Sequence, residues 1–464
     1  MEEKKSPNEI LQKKLSLDKK SAWHQLNEKE VMRFAEGYKQ FMANSKTERL
    51  CIENIITILK KAGFKENITL TKLKPGDKFF KNVKGKAVLA AIVGRNPASW
   101  QLIGAHVDSP RLDIKPQPLY EDSGVALLKT HYYGGVKKYH WVNTPLALHG
   151  VVFTKSGRRA VLSIGEKPEE PKFIIPDLLP HLAKNQMERK AEKVIEGEEL
   201  NILIGNLPVN DEKIKEQVKF MVLKHLQEKY GMVEEDFFAA ELELVPVNAP
   251  VDIGFDRALV GAYGQDDKVC IYTELMAITE TNNPAHTAVG LFVDKEEIGS
   301  TGDTGAASLL VQNFAIDYLN LAGLKLSPNE LMEKSNAISA DVTAGVDPNF
   351  KDVNDPMNAS HLGKGVSVEK YGGGGGKYST NDASAEYVHY IRQIMDQNNI
   401  PWQTGELGKI DLGGGGTIAM YLSRYGMNCI DAGPCVLGMH SVCEVTSKAD
   451  IYSAYLLYKA FFKE

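Results

Sequence analysis

Short apolar runs alternate with longer amphipathic segments in the first part of the chain and again after residue 250. Short apolar runs flanked by turn residues are typical of buried strands, whereas apolar residues at intervals of three and four indicate helices. This criterion predicts strands at 87–94, 100–110, 287–294, 335–342 and 427–433. It predicts helices at 48–64, 306–323, 384–399 and 416–426. The alternation predicts an α/β fold with a mostly parallel sheet flanked by helices.

The pattern differs between residues 114 and 249. Residues 145–165 contain two apolar runs around a tight turn, without the long crossover helix that parallel strands need. One amphipathic helix is predicted over 210–231, with Asn210 as its N-cap and Gly231 at its end. We therefore interpret this region as an inserted β-rich domain, which divides the chain into 1–113, 114–249 and 250–464.

Composition restricts the classes of function. The 464 residues are 43% hydrophobic and 25% charged, which is ordinary for a globular protein of two or three domains. A net charge of −5 provides no basic field, so neither nucleic acid nor a membrane is expected as a partner. Residues 1–20 lack the apolar core of a secretion signal. Five cysteines without a CxxC pair indicate neither a disulfide framework nor a thiolate zinc site, and we expect a cytoplasmic location.

Acidic and histidine side chains follow several predicted strands. Functional groups of α/β sheets gather at the carboxyl ends of strands. The strand at 100–110 contains His106 and Asp108, which are two residues apart and can therefore face one site. Either the carboxylate holds the second ring nitrogen of a metal-bound imidazole, or a surface histidine precedes a turn-forming aspartate. The spacing alone is compatible with both interpretations.

Three further positions have the same ambiguity. In the pair Asp266–Asp267 one carboxylate could bridge two cations, but adjacent acids are also common in solvated turns and helix caps. Asp341 ends an apolar run, either as a site acid or as part of an Asx turn. His440 follows an apolar stretch, where a packed histidine is the simpler alternative.

The stretch LFVDKEEIGSTGDTGA places Glu296 and Glu297 where an apolar strand ends. Neighbouring side chains point in different directions, so one could bind a metal ion while the other accepts a proton from activated water. A bare Glu–Glu pair is more often a hydrated surface. The combined set of strand-end acids and histidines, without competing thiolates, favours a dinuclear metal site.

Five motifs resemble, in order and approximate spacing, those of the M18 family of metalloaminopeptidases, the aspartyl aminopeptidase and vacuolar aminopeptidase I group. They are GAHVDSPRLDIKP, GQDDKVC, DKEEIGSTGDTGA, ISADVTAGVDPNF and GPCVLGMHSVCE. The resemblance covers nearly the whole chain. It implies a zinc-exopeptidase-like α/β domain, interrupted by an inserted dimerisation domain, that hydrolyses the N-terminal residue from peptides.

The resemblance also implies the metal ligands. His106 and Asp341 correspond to ligands of a first zinc ion, and Glu297 and His440 to ligands of a second. Asp266 corresponds to the carboxylate that bridges them. Two divalent ions per subunit are therefore expected, with zinc as the first choice and cobalt or manganese as alternatives.

The same resemblance implies roles for two further acids and a histidine, and a mode of assembly. Asp108 corresponds to the acid that orients the first histidine, and Glu296 to the general base for water activated by two metals. His181 corresponds to a histidine that reaches a neighbouring subunit's active site, although a histidine packed at an interface is an equal alternative. Family members form tetrahedral dodecamers of dimers, so such self-assembly is expected. The glycine-rich loop before Lys377 departs from the family pattern, so the preferred side chain, acidic or neutral, stays open. Lys377 itself is a candidate contact of the substrate side chain or carboxylate.

Other classes of function remain as alternatives. A glycine run within 411–426 opens a predicted helix, where backbone amides favour anions, as in nucleotide-binding transferases and dehydrogenases. However, the chain has no GxGxxG with a suitably placed acid and no GK[ST] phosphate loop. A scaffold that has kept the fold is the non-enzymatic alternative, but no matched ligand position is substituted. An exopeptidase acting on dipeptides or acylated amino acids is the third.

Overall fold

A computed structural model of the chain describes residues 6–16, 20–67 and 70–464. The expectation about a secretion signal in residues 1–20 therefore lies partly outside the described residues. The strands are β1 (Lys65–Glu66), β2 (Lys78–Val83), β3 (Ala87–Ile92), β4 (Asn96–His106), β5 (Arg111–Asp122), β6 (Val125–Tyr133), β7 (Leu146–Phe153), β8 (Arg159–Ile164), β9 (Asn201–Gly205), β10 (Ala240–Pro246), β11 (Val251–Ile253), β12 (Leu259–Ala262), β13 (His286–Val293), β14 (Asn336–Ser339), β15 (Thr343–Ala344), β16 (Val366–Glu369), β17 (Trp402–Thr404), β18 (Asn428–Gly433), β19 (Cys435–Leu437) and β20 (Glu444–Ser447).

The helices flank these strands on both sides. They are α1 (Pro7–Leu15), α2 (Glu28–Ala43), α3 (Glu48–Lys61), α4 (Lys184–Met187), α5 (Gln217–Tyr230), α6 (Gln265–Glu280), α7 (Leu310–Ala322), α8 (Pro328–Glu333), α9 (Ala385–Gln397), α10 (Ala419–Ser423) and α11 (Lys448–Lys463). Among the described residues, every helix is too short or too polar to cross a membrane.

The largest sheet has nine strands in the order β1-β2-β3-β13-β4-β14-β18-β16-β17. Its centre, β13-β4-β14-β18, is parallel. The strands β3 and β16 on either side of this centre run antiparallel to it. The fold is therefore mixed α/β, as predicted. Because the four central strands are parallel, their carboxyl ends lie at one edge of the sheet.

Apolar side chains cover both faces of this sheet. In β13, Ala288 and Phe292 contribute to a core with α2, α3, α6, α9 and α11. Val289 and Leu291, which alternate with them, contribute to a second core with α7, α8 and α10. Burial on both faces explains why the predicted strands are continuous apolar runs rather than alternating ones.

A second sheet, of six antiparallel strands, has the order β8-β7-β10-β5-β6-β9. Its strands come from residues 111–246, and it has a separate apolar core. The strands β7 and β8 form the predicted hairpin at 145–165. A third sheet, β11-β12-β20-β19-β15, has no counterpart among the sequence predictions.

The five predicted helices are all somewhat shorter in the structure, and two of them differ most. Helix α5 begins at Gln217, so Asn210 is not its N-cap. Glu121 of β5 instead accepts hydrogen bonds from the Val218 and Lys219 amides, and this tertiary contact satisfies the start of the helix. The predicted end is right, because Gly231 adopts the left-handed conformation with φ of 71°.

The second difference concerns the predicted helix at 416–426, which is reduced to the five residues of α10. The glycines before it pack against the other glycine-rich loop, where the Gly373 amide donates to the Gly415 carbonyl at 2.7 Å. Thr417 accepts a hydrogen bond from the Ala419 amide and thereby helps to start the helix there. The glycine run therefore does not open a long helix, which weakens the nucleotide-binding alternative.

Candidate metal centre

The carboxyl edge of the nine-stranded sheet brings together side chains from distant parts of the chain. His106 is the last residue of β4, and the Glu296–Glu297 pair follows β13 by a few residues. Asp341 follows the end of β14. Because β13, β4 and β14 are adjacent and parallel, these residues meet at one place.

Two further residues reach this edge from the third sheet. Asp266 follows β12 at the start of α6, and His440 follows β19. Asp266 lies between the two histidines: its Oδ1 is 3.1 Å from His106 Nε2 and its Oδ2 is 3.0 Å from His440 Nε2. One carboxylate therefore faces two imidazoles, one with each oxygen.

The remaining acids surround this pair. Glu296 Oε2 and Asp341 Oδ1 are each 3.9 Å from His106 Nε2. Glu297 Oε2 is 3.3 Å from His440 Nε2. The structure thus gathers every residue that the sequence analysis names as a metal ligand or general base.

Asp108 holds several members of the cluster in position through hydrogen bonds. Its carboxylate accepts hydrogen bonds from the Glu296 amide at 3.1 Å, the Glu297 amide at 3.2 Å and the Tyr133 hydroxyl at 2.9 Å. Its Oδ1 lies 3.3 Å from His106 Nδ1, which also contacts the Asp108 carbonyl at 3.1 Å. With acceptors around Nδ1, the His106 nitrogen that is available as a ligand is Nε2.

His440 is oriented in the same way by a different group. Its Nδ1 donates to the Gly135 carbonyl at 2.9 Å, which directs Nε2 toward Asp266 and Glu297. Both imidazoles therefore present the same nitrogen to the interior of the cluster.

Sequence reasoning did not identify several residues that shape the cluster. Glu444 accepts the Asp266 amide at 3.0 Å and the His440 amide at 2.7 Å, so it fixes two candidate ligands at once. Asp267 accepts the His106 amide at 3.3 Å. Glu444 closes the GPCVLGMHSVCE motif and Asp267 is the second acid of the Asp–Asp pair, but no spacing rule assigns them these contacts.

Burial and mutual charge shift the pKa values of the cluster. Burial raises the pKa of Glu296 to about 7, and burial followed by the charge of Asp266 raises the pKa of Glu297 well above its ordinary range. Burial also acts to raise the pKa of Asp266, but hydrogen bonds from both histidines outweigh it and lower that pKa. Burial acts to lower the pKa of His440, but the bond to Asp266 and the charge of Glu297 raise it to about 10. Crowded acids of this kind favour bound cations, which offset their repulsion.

The residues present fit a divalent metal. Asp267 Oδ1 and Glu297 Oε1 are buried and accept no hydrogen bond from the described residues. Candidate ligand atoms lie within 4.8 Å of one another in two groups, His106–Asp266–Glu297 and His106–Asp267–Asp341. Imidazole nitrogen and carboxylate oxygen are ligands that zinc accepts.

The two remaining predicted residues lie outside this cluster. His181 is exposed, and its side chain makes no hydrogen bond or ion pair with the described residues. Lys377 is half-exposed, forms an ion pair with Asp382 at 2.9 Å and lies 3.9 Å from the ring centre of Tyr371. It lines a cavity of about 300 Å³ between the two glycine-rich loops, and none of the candidate ligands contributes to that lining.

Known proteins resemble this chain over almost its full length. The family described as Aminopeptidase I zinc metalloprotease (M18) matches residues 41–462. Probable M18 family aminopeptidase 1 of Borrelia garinii subsp. bavariensis is 47% identical over 459 residues, which are 97% of this chain and 100% of that protein. The crystal structure of an M18 aminopeptidase from Thermotoga maritima is 44% identical, with a TM-score of 0.93, and covers 97% of this chain and 100% of that one.

A more distant structure has the same fold. The S. cerevisiae mApe1 dodecamer is 20% identical, with a TM-score of 0.75, and covers 93% of this chain and 96% of that one. The family match and the relative from Borrelia carry the assignment, because both extend over nearly the entire sequence. The chain belongs to the M18 family of zinc metalloproteases and is a metallo-aminopeptidase.

Proposed function

We propose that this enzyme removes the N-terminal residue of peptides with two divalent ions bridged by Asp266 and with Glu296 as the general base. One observation carries the proposal: the two oxygens of Asp266 face two different imidazoles, at 3.1 and 3.0 Å. A carboxylate in this position offers one oxygen to each of two neighbouring cations.

The other ligands divide between the two positions. His106 and Asp341 would hold the first ion, and Glu297 and His440 the second, with Asp266 shared. The 3.3 Å between Glu297 Oε2 and His440 Nε2 supports the second position, and the group His106–Asp267–Asp341 supports the first. Glu297 also groups with His106 and Asp266, as expected if the two positions are adjacent. Three protein ligands per ion leave a coordination position open, as in catalytic zinc sites. Zinc suits nitrogen and oxygen donors, and cobalt and manganese are the alternatives.

When bound, the two ions polarise the scissile carbonyl and lower the pKa of water. Glu296 takes the proton of the attacking water and returns it to the leaving amine. Its side chain is 18% exposed, against 5% for Asp266 and 4% for Glu297, so water and substrate reach it most easily. The hydrogen bond from its amide to Asp108 keeps it beside the cluster.

The variant Glu296→Gln tests the base role. We expect wild-type metal content by atomic emission and a kcat that is lower by about 10²- to 10⁴-fold, the usual contribution of general-base catalysis. The substrates are chromogenic aspartyl, glutamyl and leucyl derivatives, each assayed with zinc, cobalt and manganese. Asp303→Asn is the matched control, because Asp303 lies in the same segment, is exposed and pairs only with Lys84 among the described residues. Retained turnover would remove Glu296 from the base role, and lost metal would make it a ligand.

Two residues outside the cluster belong to the substrate side of this proposal. His181 lies on an exposed segment that a neighbouring subunit could meet, and we assign it to that subunit's active site. Lys377 lines the cavity between the glycine-rich loops, where an acidic side chain or a carboxylate of the substrate would replace Asp382 as its ion-pair partner. Opposite charge at close range favours such a contact.

We also propose that residues 114–249 are an inserted dimerisation domain and that 1–113 and 250–464 together form the catalytic domain. The antiparallel sheet with its own apolar core supports this division. Leu178, Leu179 and Leu182 are about half-exposed or more, as expected for side chains that assembly covers.

The assembly expected from such a domain is a dimer that builds a tetrahedral dodecamer in the cytoplasm. The yeast relative described as a dodecamer supports this expectation. Light scattering after size exclusion tests it, and the expected mass is twelve times the 51.3 kDa of one chain. A monomeric mass at assay concentration would contradict it.

A further inference from the structure

The end of strand β6 reaches the candidate metal centre from the antiparallel sheet. Tyr133 is the last residue of β6, and its hydroxyl donates to Asp108 Oδ2 at 2.9 Å. Two residues later, the Gly135 carbonyl accepts the hydrogen bond from His440 Nδ1. One short segment of the inserted region therefore contacts the support of His106, through Tyr133, and His440 itself, through Gly135.

Asp108 makes the contact with Tyr133 consequential. This carboxylate is fully buried and accepts the amides of Glu296 and Glu297 while one oxygen lies beside His106. Rotation of the Asp108 side chain would therefore move an imidazole and the Glu–Glu turn together. Several groups restrict the rotation of the Asp108 side chain. Among them, the Tyr133 hydroxyl comes from the six-stranded antiparallel sheet.

Tyr133 is itself held in place by a buried arginine. Arg111 pairs with Tyr133 in the β5–β6 register, and its guanidinium lies 3.8 Å from the centre of the tyrosine ring. Asp113 at 2.8 Å and Glu243 at 3.5 Å fix the arginine from the same sheet. A stacked, ion-paired guanidinium restricts the ring to one orientation.

We propose that Tyr133 is a positioning residue of the metal centre, which acts through Asp108 and couples the inserted sheet to the catalytic edge; this rests on the proposed function of the cluster. The phenol holds the Asp108 carboxylate so that His106 Nε2 and the two glutamates face the cations. Hydrogen-bond partners of this outer kind typically change metal affinity or activity by about 10- to 100-fold when they are lost.

The test compares Tyr133→Phe with Tyr132→Phe. Tyr132 is the neighbouring residue on β6, is 42% exposed and has its ring beside His131 and Lys138. We expect Tyr133→Phe to lower zinc affinity by about 10- to 100-fold in a chelator competition, to alter the visible spectrum of the cobalt form and to lower kcat while KM changes little. Tyr132→Phe should match the wild type in all three measurements. Equal zinc affinity and cobalt spectra in the two variants would overturn the proposal.

A double-mutant cycle shows whether the effect passes through Asp108. If it does, Asp108→Ala and the double variant with Tyr133→Phe should have the same zinc affinity, because alanine has already removed the acceptor of the tyrosine hydroxyl. Additive losses of zinc affinity would refute the proposal that Tyr133 acts through Asp108. Far-UV circular dichroism of the metal-free variants checks their folding, and Arg111→Lys, which keeps the charge but not the planar stack, should act in the same direction. His106→Ala separates this proposal from the proposed function: if that variant also keeps its zinc, the metal centre itself is wrong.

Discussion

Gly433 lies where a larger residue would displace a proposed metal ligand. It is the last residue of β18, beside the backbone of Asp341. A Cβ at this position would be 2.1 Å from the Asp341 carbonyl oxygen, whereas ordinary contact begins at 3.4 Å. The difference between 3.4 and 2.1 Å requires a shift of 1.3 Å, and the nearest atoms are backbone, which cannot rotate away.

The variant Gly433→Ala should therefore impair catalysis and stability together. A misplacement of about 1 Å at a reacting site costs on the order of 100-fold, or about 2.7 kcal/mol of transition-state stabilisation. Overpacking a rigid interior costs about 1–3 kcal/mol of unfolding free energy. We expect kcat/KM to fall by about 100-fold and zinc content to decrease, because Asp341 moves away from His106.

Three proteins are compared: the wild type, Gly433→Ala and Gly415→Ala. For each we measure kcat/KM with the chromogenic aspartyl, glutamyl and leucyl substrates, the bound zinc and the urea unfolding curve. Gly415 is the matched control, since a Cβ there would meet no heavy atom within 4 Å. Wild-type turnover and zinc content in Gly433→Ala would refute the reasoning that this backbone contact sets the position of Asp341. Reduced stability with unchanged turnover would mean that the new Cβ strains the fold without moving the Asp341 carboxylate.

Three further predictions concern the metal bridge, a buried acid and the core. Asp266→Asn should release both ions, because each loses a ligand; unchanged metal stoichiometry would count against bridging. Burial raises the pKa of Asp450 to about 7, so the folded state keeps a proton that the unfolded chain releases near pH 4. This contribution to stability is complete below about pH 4 and is lost as the pH rises to about 7, by up to about 1.4 kcal/mol per pH unit. Urea unfolding of metal-free Asp450→Asn should show a flatter pH dependence than the wild type, and equal slopes would contradict the assignment. Phe314→Ala should cost about 3–5 kcal/mol of unfolding free energy, because its buried ring stacks on Phe79 and packs against Trp100; a loss below about 1 kcal/mol would mean that the core closes around the gap.

Local patterns in the sequence predict most of the catalytic sheet. The strands at 100–110 and 287–294 are recognisable because both of their faces are buried, which leaves long apolar runs. The helix at 384–399 is recognisable because Ser384 caps it and its apolar residues follow helical spacing. By contrast, α11 is absent from the predictions although Ile451, Tyr458 and Phe461 are fully buried. Its apolar residues surround the helix, so amphipathic spacing is weak there.

The sequence likewise predicts one part of the candidate site, whereas another part depends on the fold. The residue types and the ordered motifs predict that five residues are metal ligands, and the structure places them in one cluster: His106, Asp266, Glu297, Asp341 and His440. Spacing cannot show that Glu444 accepts two of their amides or that Tyr133 holds Asp108, because each contact joins segments that pair only through the sheets.

The sequence alone is sufficient for the α/β alternation, the membership of the family and the list of acids and histidines that we propose as metal ligands and general base. These are properties of short segments, whose periodicity and side chains are fixed before any long-range contact forms. Only the tertiary structure decided which imidazole nitrogen faces inward, which oxygen of Asp266 meets which histidine, and where α5 begins. Those outcomes depend on hydrogen bonds between residues that are distant in the chain and adjacent only after the sheets have assembled.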